Sequence, residues 1–121
     1  LARGYPPRNE QTGKWLPYLL VRHAMPKGKT AVSQFVALIE PHIGAPALAS
    51  VTSVSVEPAE GADGFWAFAV KVQLQDGRTQ YLFSDVDGKK ERLVDGWLRL
   101  RGRFAFVSLR GGKVEGLQVW R

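Results

Sequence analysis

Cysteine is absent from this chain of 121 residues, which excludes disulfides, thiol nucleophiles and cysteine-held zinc. Histidine occurs only at His23 and His42, far from the H-x-x-x-H spacing that brings two imidazoles to one metal. No apolar run approaches the ~20 residues of a membrane helix. The opening LARGYPPRNE is no signal peptide either. It starts with Leu1 rather than Met and carries Pro6-Pro7 and several charges, so it reads as a cut inside a longer chain. No nucleophile–base pair, phosphate-binding loop or metal set is recognisable, so no catalytic residue, cofactor or metal is assigned. Asp85 with Asp87, and Glu57 with Glu60, are carboxylate pairs. Turn chemistry accounts for Asp87-Gly88 and a solvated loop for Glu57 and Glu60; calcium at Asp85 and Asp87 is disfavoured because the ion takes about six to eight oxygens and few carboxylates are local.

What is present is ordinary globular material, 45% hydrophobic and 23% charged, sized for one domain. The most informative stretch runs from Tyr81 to Arg121. Short apolar runs (Tyr81 to Phe83, Leu98 to Leu100, Phe104 to Leu109, Leu117 to Trp120) alternate there with Asp87-Gly88, Asp95-Gly96, Arg101-Gly102 and Gly111-Gly112. Asp-Gly and Gly-Gly supply the positive φ of type I′ turns, so these pairs predict hairpins and a β-meander. From Lys89 onward nine Lys/Arg stand against three acids, a difference of +6 that equals the net charge of the whole chain.

Earlier in the chain, 1–14 reads as an irregular approach segment and 15–121 as a single antiparallel β domain. Trp15 to His23 and Ala31 to Glu40 predict a hairpin with a basic tip at Lys27-Gly28-Lys29; Pro17 places the first strand at an edge or makes it begin later. Leu48 to Val56 predicts a third strand, and Pro58 to Gly64 a polar loop. Asp76-Gly77 as a two-residue turn pairs Leu74 with Thr79, Val72 with Tyr81 and Val70 with Phe83. That register gathers Trp66, Phe68, Val70, Val72, Leu74, Tyr81 and Phe83 on one face, and Lys71, Gln73, Gln75, Arg78 and Gln80 on the other. Phe104 to Val107 is apolar throughout and reads as a central strand. The expected fold is all-β: an antiparallel β-sandwich or two-layer sheet of about nine strands joined by short hairpins.

Two motifs, S-x-F-V-A-x-I-E-P at Ser33 to Pro41 and L-x-L-x-G-R-F-A-F-V…G-G-K-V at Leu98 to Val114, lie in segments that together span most of the chain. In them the chain resembles the C-terminal β-domain of heparinase II/III-like polysaccharide lyases. The resemblance implies a parent enzyme with an N-terminal α/α toroid that cleaves uronate-containing polysaccharides by β-elimination, using a Tyr acid with His and Asn. None of those residues matches a position here, so the chain alone is expected to be inactive. The implied partners are the toroid of the same parent chain and an anionic polysaccharide. The implied location of the parent is periplasmic or secreted.

The residues proposed for an anionic sugar are Trp97, Arg99, Arg101 and Arg103, with Arg22, His23, Lys27 and Lys29 as secondary candidates. Arginine forks bind carboxylate or sulfate through two parallel hydrogen bonds, and an indole stacks on a sugar ring. The competing reading is a solvated basic sheet face that discourages edge pairing; a third is contact with the helical domain. His23 reads more readily as a surface histidine of a hairpin, and His42 as part of a Pro-rich turn. Two other function classes stand beside the lyase layer. One is an independent carbohydrate-binding module using Trp15, Tyr18 or Trp97; the other is a basic β-barrel that binds nucleic acid, suggested by a pI of about 10.0. The second is disfavoured because Trp66, Phe68, Tyr81 and Phe83 fall on the apolar face rather than on a polar stacking face.

Overall fold

The computed structural model describes residues 2–4, 16–18, 27–28, 35–59 and 67–121. The chain forms two compact units, Leu1–Ser33 and Gln34–Arg121. In the first, β1 (Ala2–Gly4) pairs antiparallel with β2 (Leu16–Tyr18), Ala2 opposite Tyr18. Pro17 stands opposite Arg3 in this pair. A two-stranded pair has an open edge on each strand, which tolerates the missing donor.

The second unit is all-β and antiparallel. Its strands are β3 (Leu48–Val54), β4 (Val56–Glu57), β5 (Ala67–Leu74), β6 (Arg78–Asp85), β7 (Arg92–Val94), β8 (Leu98–Leu100), β9 (Phe104–Arg110) and β10 (Lys113–Trp120). Five of them form a sheet in the order β10-β9-β6-β5-β3, and three form another in the order β4-β7-β8. Among the described residues the two sheets therefore hold eight strands, one fewer than the sequence suggests, and β9 is interior as expected. Residues 35–40 carry no strand, which corrects the expected strand from Ala31 to Glu40 over its described part. The Glu40 carboxylate instead accepts from the Ala47 and Leu48 N–H groups, tying this segment to the start of β3, and Pro41 follows at once.

The turn dipeptides divide into two kinds. Gly111 and Gly112 have φ of 55° and 77° and close a two-residue hairpin in which Arg110 faces Lys113. Asp95 and Gly96 have φ of 51° and 73°, with Trp97 N–H donating to Val94 O at 3.2 Å. Asp87-Gly88 and Arg101-Gly102 are not hairpins; they lie in the crossings from β6 to β7 and from β8 to β9, where the chain passes between sheets. Glycine is required there by close approach. A Cβ on Gly88 would stand 2.7 Å from Arg103 Cγ, and one on Gly102 would stand 2.7 Å from Trp120 O.

The β5–β6 hairpin exists, but its register differs by one residue from the expected one. Three residues connect the strands, with Gly77 at φ 83° donating to Leu74 O and the Asp76 carboxylate accepting from Arg78 N–H at 3.1 Å. A three-residue connection with its last residue left-handed is the other common hairpin solution for Asp-Gly. Val70 therefore faces Leu82, and Lys71 faces Tyr81. The consequence is that both faces of the large sheet are apolar. One carries Ala69, Tyr81, Phe83, Ala105, Val107 and Leu109, which pack with Val94 and Leu100 of the small sheet as the core. The other carries Phe68, Val70, Leu82 and Phe104; residues 36–38 stand beside it across an apolar cavity of about 390 Å³.

Candidate functional site

The site is assembled where the two crossings meet. The β6–β7 crossing leaves Asp85 on the core side of its strand, and β7 opens with Arg92 on the same side as Val94. Arg92 Nε donates to Asp85 Oδ2 at 2.7 Å, and both side chains are 0% exposed. Arg92 Nη1 donates to Pro58 O at 2.7 Å, while Asp87 N–H donates to Asp85 Oδ1 at 3.0 Å. Burial alone would push the Asp85 carboxyl up. The Arg92 hydrogen bond, the Asp87 and Gly88 N–H groups and the guanidinium charge outweigh it and hold the carboxyl below its ordinary value. This latch ties the large sheet to the small one and to the segment after β4. Sequence reading missed it, treating Asp85 as half of a carboxylate pair and Arg92 as one cation among nine.

Outside the latch the crossings form a basic cleft. Asp85 N–H donates to Arg103 O and Arg103 N–H to Trp120 O, both at 2.9 Å, so the β8–β9 crossing is fastened between β6 and the end of β10. Gly88 lies against Arg103. The resulting cleft, about 430 Å³, is lined by Asp87, Gly88, Lys89, Arg101, Arg103 and Arg121. Lys89 Nζ stands 3.6 Å from Asp87 Oδ1. Arg101, Arg103 and Arg121 form no ion pair with any described residue. Four cations against one carboxylate leave the lining at +3.

The proposed sugar residues are therefore split. Arg101 and Arg103 come together; Trp97 and Arg99 are not in the cleft lining. Arg99 Nη1 is engaged by Glu91 Oε1 at 2.8 Å. Trp97, 49% exposed, meets Tyr81 edge-on with ring centroids 5.8 Å apart. Tyr81 in turn donates to Asp95 Oδ2 at 2.6 Å, and Lys71 Nζ lies 3.2 Å from the same oxygen. The Tyr81 hydroxyl and Lys71 hold Asp95 below its ordinary value, and the Tyr81 hydroxyl first, then Asp95, raise Lys71. Lys27 is exposed in a turn with Gly28, while Arg22, His23 and Lys29 lie outside the described residues. His42 Nδ1 is 2.9 Å from Gly44 O, in the turn expected for it. Lys89 and Arg121 were not singled out from the sequence. Gly88 and Gly102, each forced by close approach, are the signal that links these distant positions.

Among the described residues no group of three or more His, Asp or Glu is placed to hold a metal ion, and no helix is long and apolar enough to cross a membrane. The chain matches no protein-family model, no curated protein and no solved structure.

Proposed function

We propose that this chain is a non-catalytic β domain that binds an anionic, uronate-containing polysaccharide, serving as the C-terminal layer of a heparinase II/III-like polysaccharide lyase. The observation that carries the binding reading is the cleft, where Arg101, Arg103 and Arg121 converge without a carboxylate partner among the described residues. Unpaired guanidinium groups keep all of their donors for a carboxylate or sulfate, and their fork matches either group. At about 430 Å³ the cleft falls in the range of small-ligand sites, ~300 to 1,000 Å³, which suits a short stretch of polymer. The assignment to a lyase rests on the resemblance at Ser33 to Pro41 and Leu98 to Val114. In that setting the chemistry belongs to the α/α-toroid partner and this domain holds the polymer, in the periplasm or outside the cell.

Exposed charge contacts are each worth roughly 0.2 to 1 kcal/mol and weaken with salt, so binding needs several at once. The test is retention of the domain on heparan sulfate, chondroitin, alginate and a single-stranded oligonucleotide at two salt concentrations. Selective, salt-sensitive binding to one polysaccharide is expected. Changing Arg101, Arg103 and Arg121 together to Gln should weaken it roughly 3- to 100-fold without moving the melting temperature. Arg99→Gln, which opens only the pair with Glu91, should leave affinity nearly unchanged. Equal binding to every polyanion, or undiminished binding by the triple variant, would overturn the reading.

A further inference from the structure

The outer strand of the large sheet, β10, has no partner on its far edge among the described residues. Which backbone groups face outward follows from the ladder. Trp120 O accepts from Arg103 N–H, so Trp120 points its backbone groups toward β9. Pairing is regular from Gly116 to Trp120, and consecutive residues of a strand alternate sides, so Gly116 and Gln118 also face β9. Leu117 and Val119 therefore present N–H and C=O groups outward. The stretch Gly116 to Trp120 carries no charge and no proline, the usual protections of an edge. Leu117 is 57% exposed and Trp120 48% exposed.

We propose that two copies of this chain pair antiparallel along β10, about a two-fold axis at Gln118, joining two five-stranded sheets into one of ten strands. Only registers that oppose outward-facing residues can form the bonds, which leaves axes at Leu117, Gln118 or Val119. The axis at Gln118 sets Leu117 against Val119 twice, giving four N–H···O bonds and two apolar cross-strand pairs. It also lays each Trp120 over the bare backbone of the other copy's Gly116, a cross-strand cover that glycine on an edge favours. Every contact in this register is made twice by the same residues, so the edge is complementary to a second copy of itself. The axis at Leu117 would instead run the ladder into the irregularity between Val114 and Gly116, and the axis at Val119 would set the apolar Leu117 against Arg121.

The absence of cysteine makes the register directly measurable, because one introduced thiol is the only one. In the proposed pairing Gln118 faces its own copy as a non-hydrogen-bonded pair, with Cα atoms about 4.5 Å apart. That separation lies within disulfide reach, whereas two Leu117 positions would be offset to roughly 8 Å, beyond it. Light scattering of the unmodified chain should show a concentration-dependent dimer, and Leu117→Lys should make it monomeric with an unchanged circular dichroism spectrum. Under mild oxidation Gln118→Cys should form disulfide dimers at least about ten times faster than Leu117→Cys. A chain that stays monomeric at several hundred micromolar, faster cross-linking of Leu117→Cys, or open-ended association without a dimer would each overturn the proposal.

Discussion

Arg92 and Arg103 stand at neighbouring crossings between the same two sheets, and the protein uses them in opposite ways. Arg92 is sealed at 0% exposure, with Asp85 and Pro58 O taking its donors. Arg103 opens into the cleft and has no ion-pair partner among the described residues. The difference teaches where charge serves the fold and where it is left for something outside it. Placed in the core without Asp85, a guanidinium would carry a desolvation cost of several kcal/mol. Placed in a solvated cleft, it costs little and keeps its donors for a ligand.

The largest way to break the contrast is Arg92→Met. The methionine fills part of the space but leaves the Asp85 carboxylate buried without its cation, a loss of about 3 to 5 kcal/mol. Urea unfolding should show it directly. Changing Asp85 to Leu as well removes the stranded charge and should recover most of the loss, since a buried pair is often no better than apolar residues of similar size. A fall of less than about 1 kcal/mol for Arg92→Met alone would mean that the latch does not hold the sheets together.

Acid should also distinguish the two kinds of arginine. Asp85 titrates below its ordinary value of 3.8 in the folded protein. Its contribution is therefore complete above that pH and is lost as the pH falls through the lower native value. Unfolding free energy measured downward from pH 5 should drop below about pH 3.8, and the drop should be smaller in Asp85→Asn. Replacing the cleft arginines by Gln leaves the buried Asp85–Arg92 pair in place, so it should leave the shape of this profile unchanged.

Much of the fold was legible because local chemistry dictated it. Gly111-Gly112 needs positive φ at both positions, and a two-residue hairpin follows. Asp76-Gly77 was not decisive, because two- and three-residue connections use the same dipeptide and differ by one residue of register. Alternation did not arbitrate, since Ala67 and Ala69 on the core face look weaker than Phe68, Val70 and Val72 on the other. The cleft was half legible. Arg101 and Arg103 are adjacent in sequence, whereas Lys89 and Arg121 reach them only through crossings that depend on which sheet each strand joins. The latch needed the same information, and the notion of a basic face hid it.

Between the sealed and the open arginine lies the cluster of Tyr81, Lys71 and Asp95, partly exposed and close to Trp97. Tyr81 is core in its ring and polar at its tip, where the hydroxyl reaches Asp95 on the turn between β7 and β8. Tyr81→Phe keeps the ring and removes one hydrogen bond to a charged acceptor. Because Lys71 and water still solvate the carboxylate, the cost should be about 1 kcal/mol, below the ~1.5 to 3 of a sheltered charged bond. The variant should also return Lys71 and Asp95 toward their ordinary values, since the hydroxyl is the leading cause of both shifts. Asp95 lies low, so its contribution holds above pH 3.8 and fails as acid protonates it; Lys71 lies high, so its contribution holds below pH 10.5 and fails as base removes its proton. The difference in stability between Tyr81→Phe and the parent should therefore be flat near neutrality and shrink at both extremes. A cost as large as that of Arg92→Met would place this cluster with the latch rather than between it and the cleft.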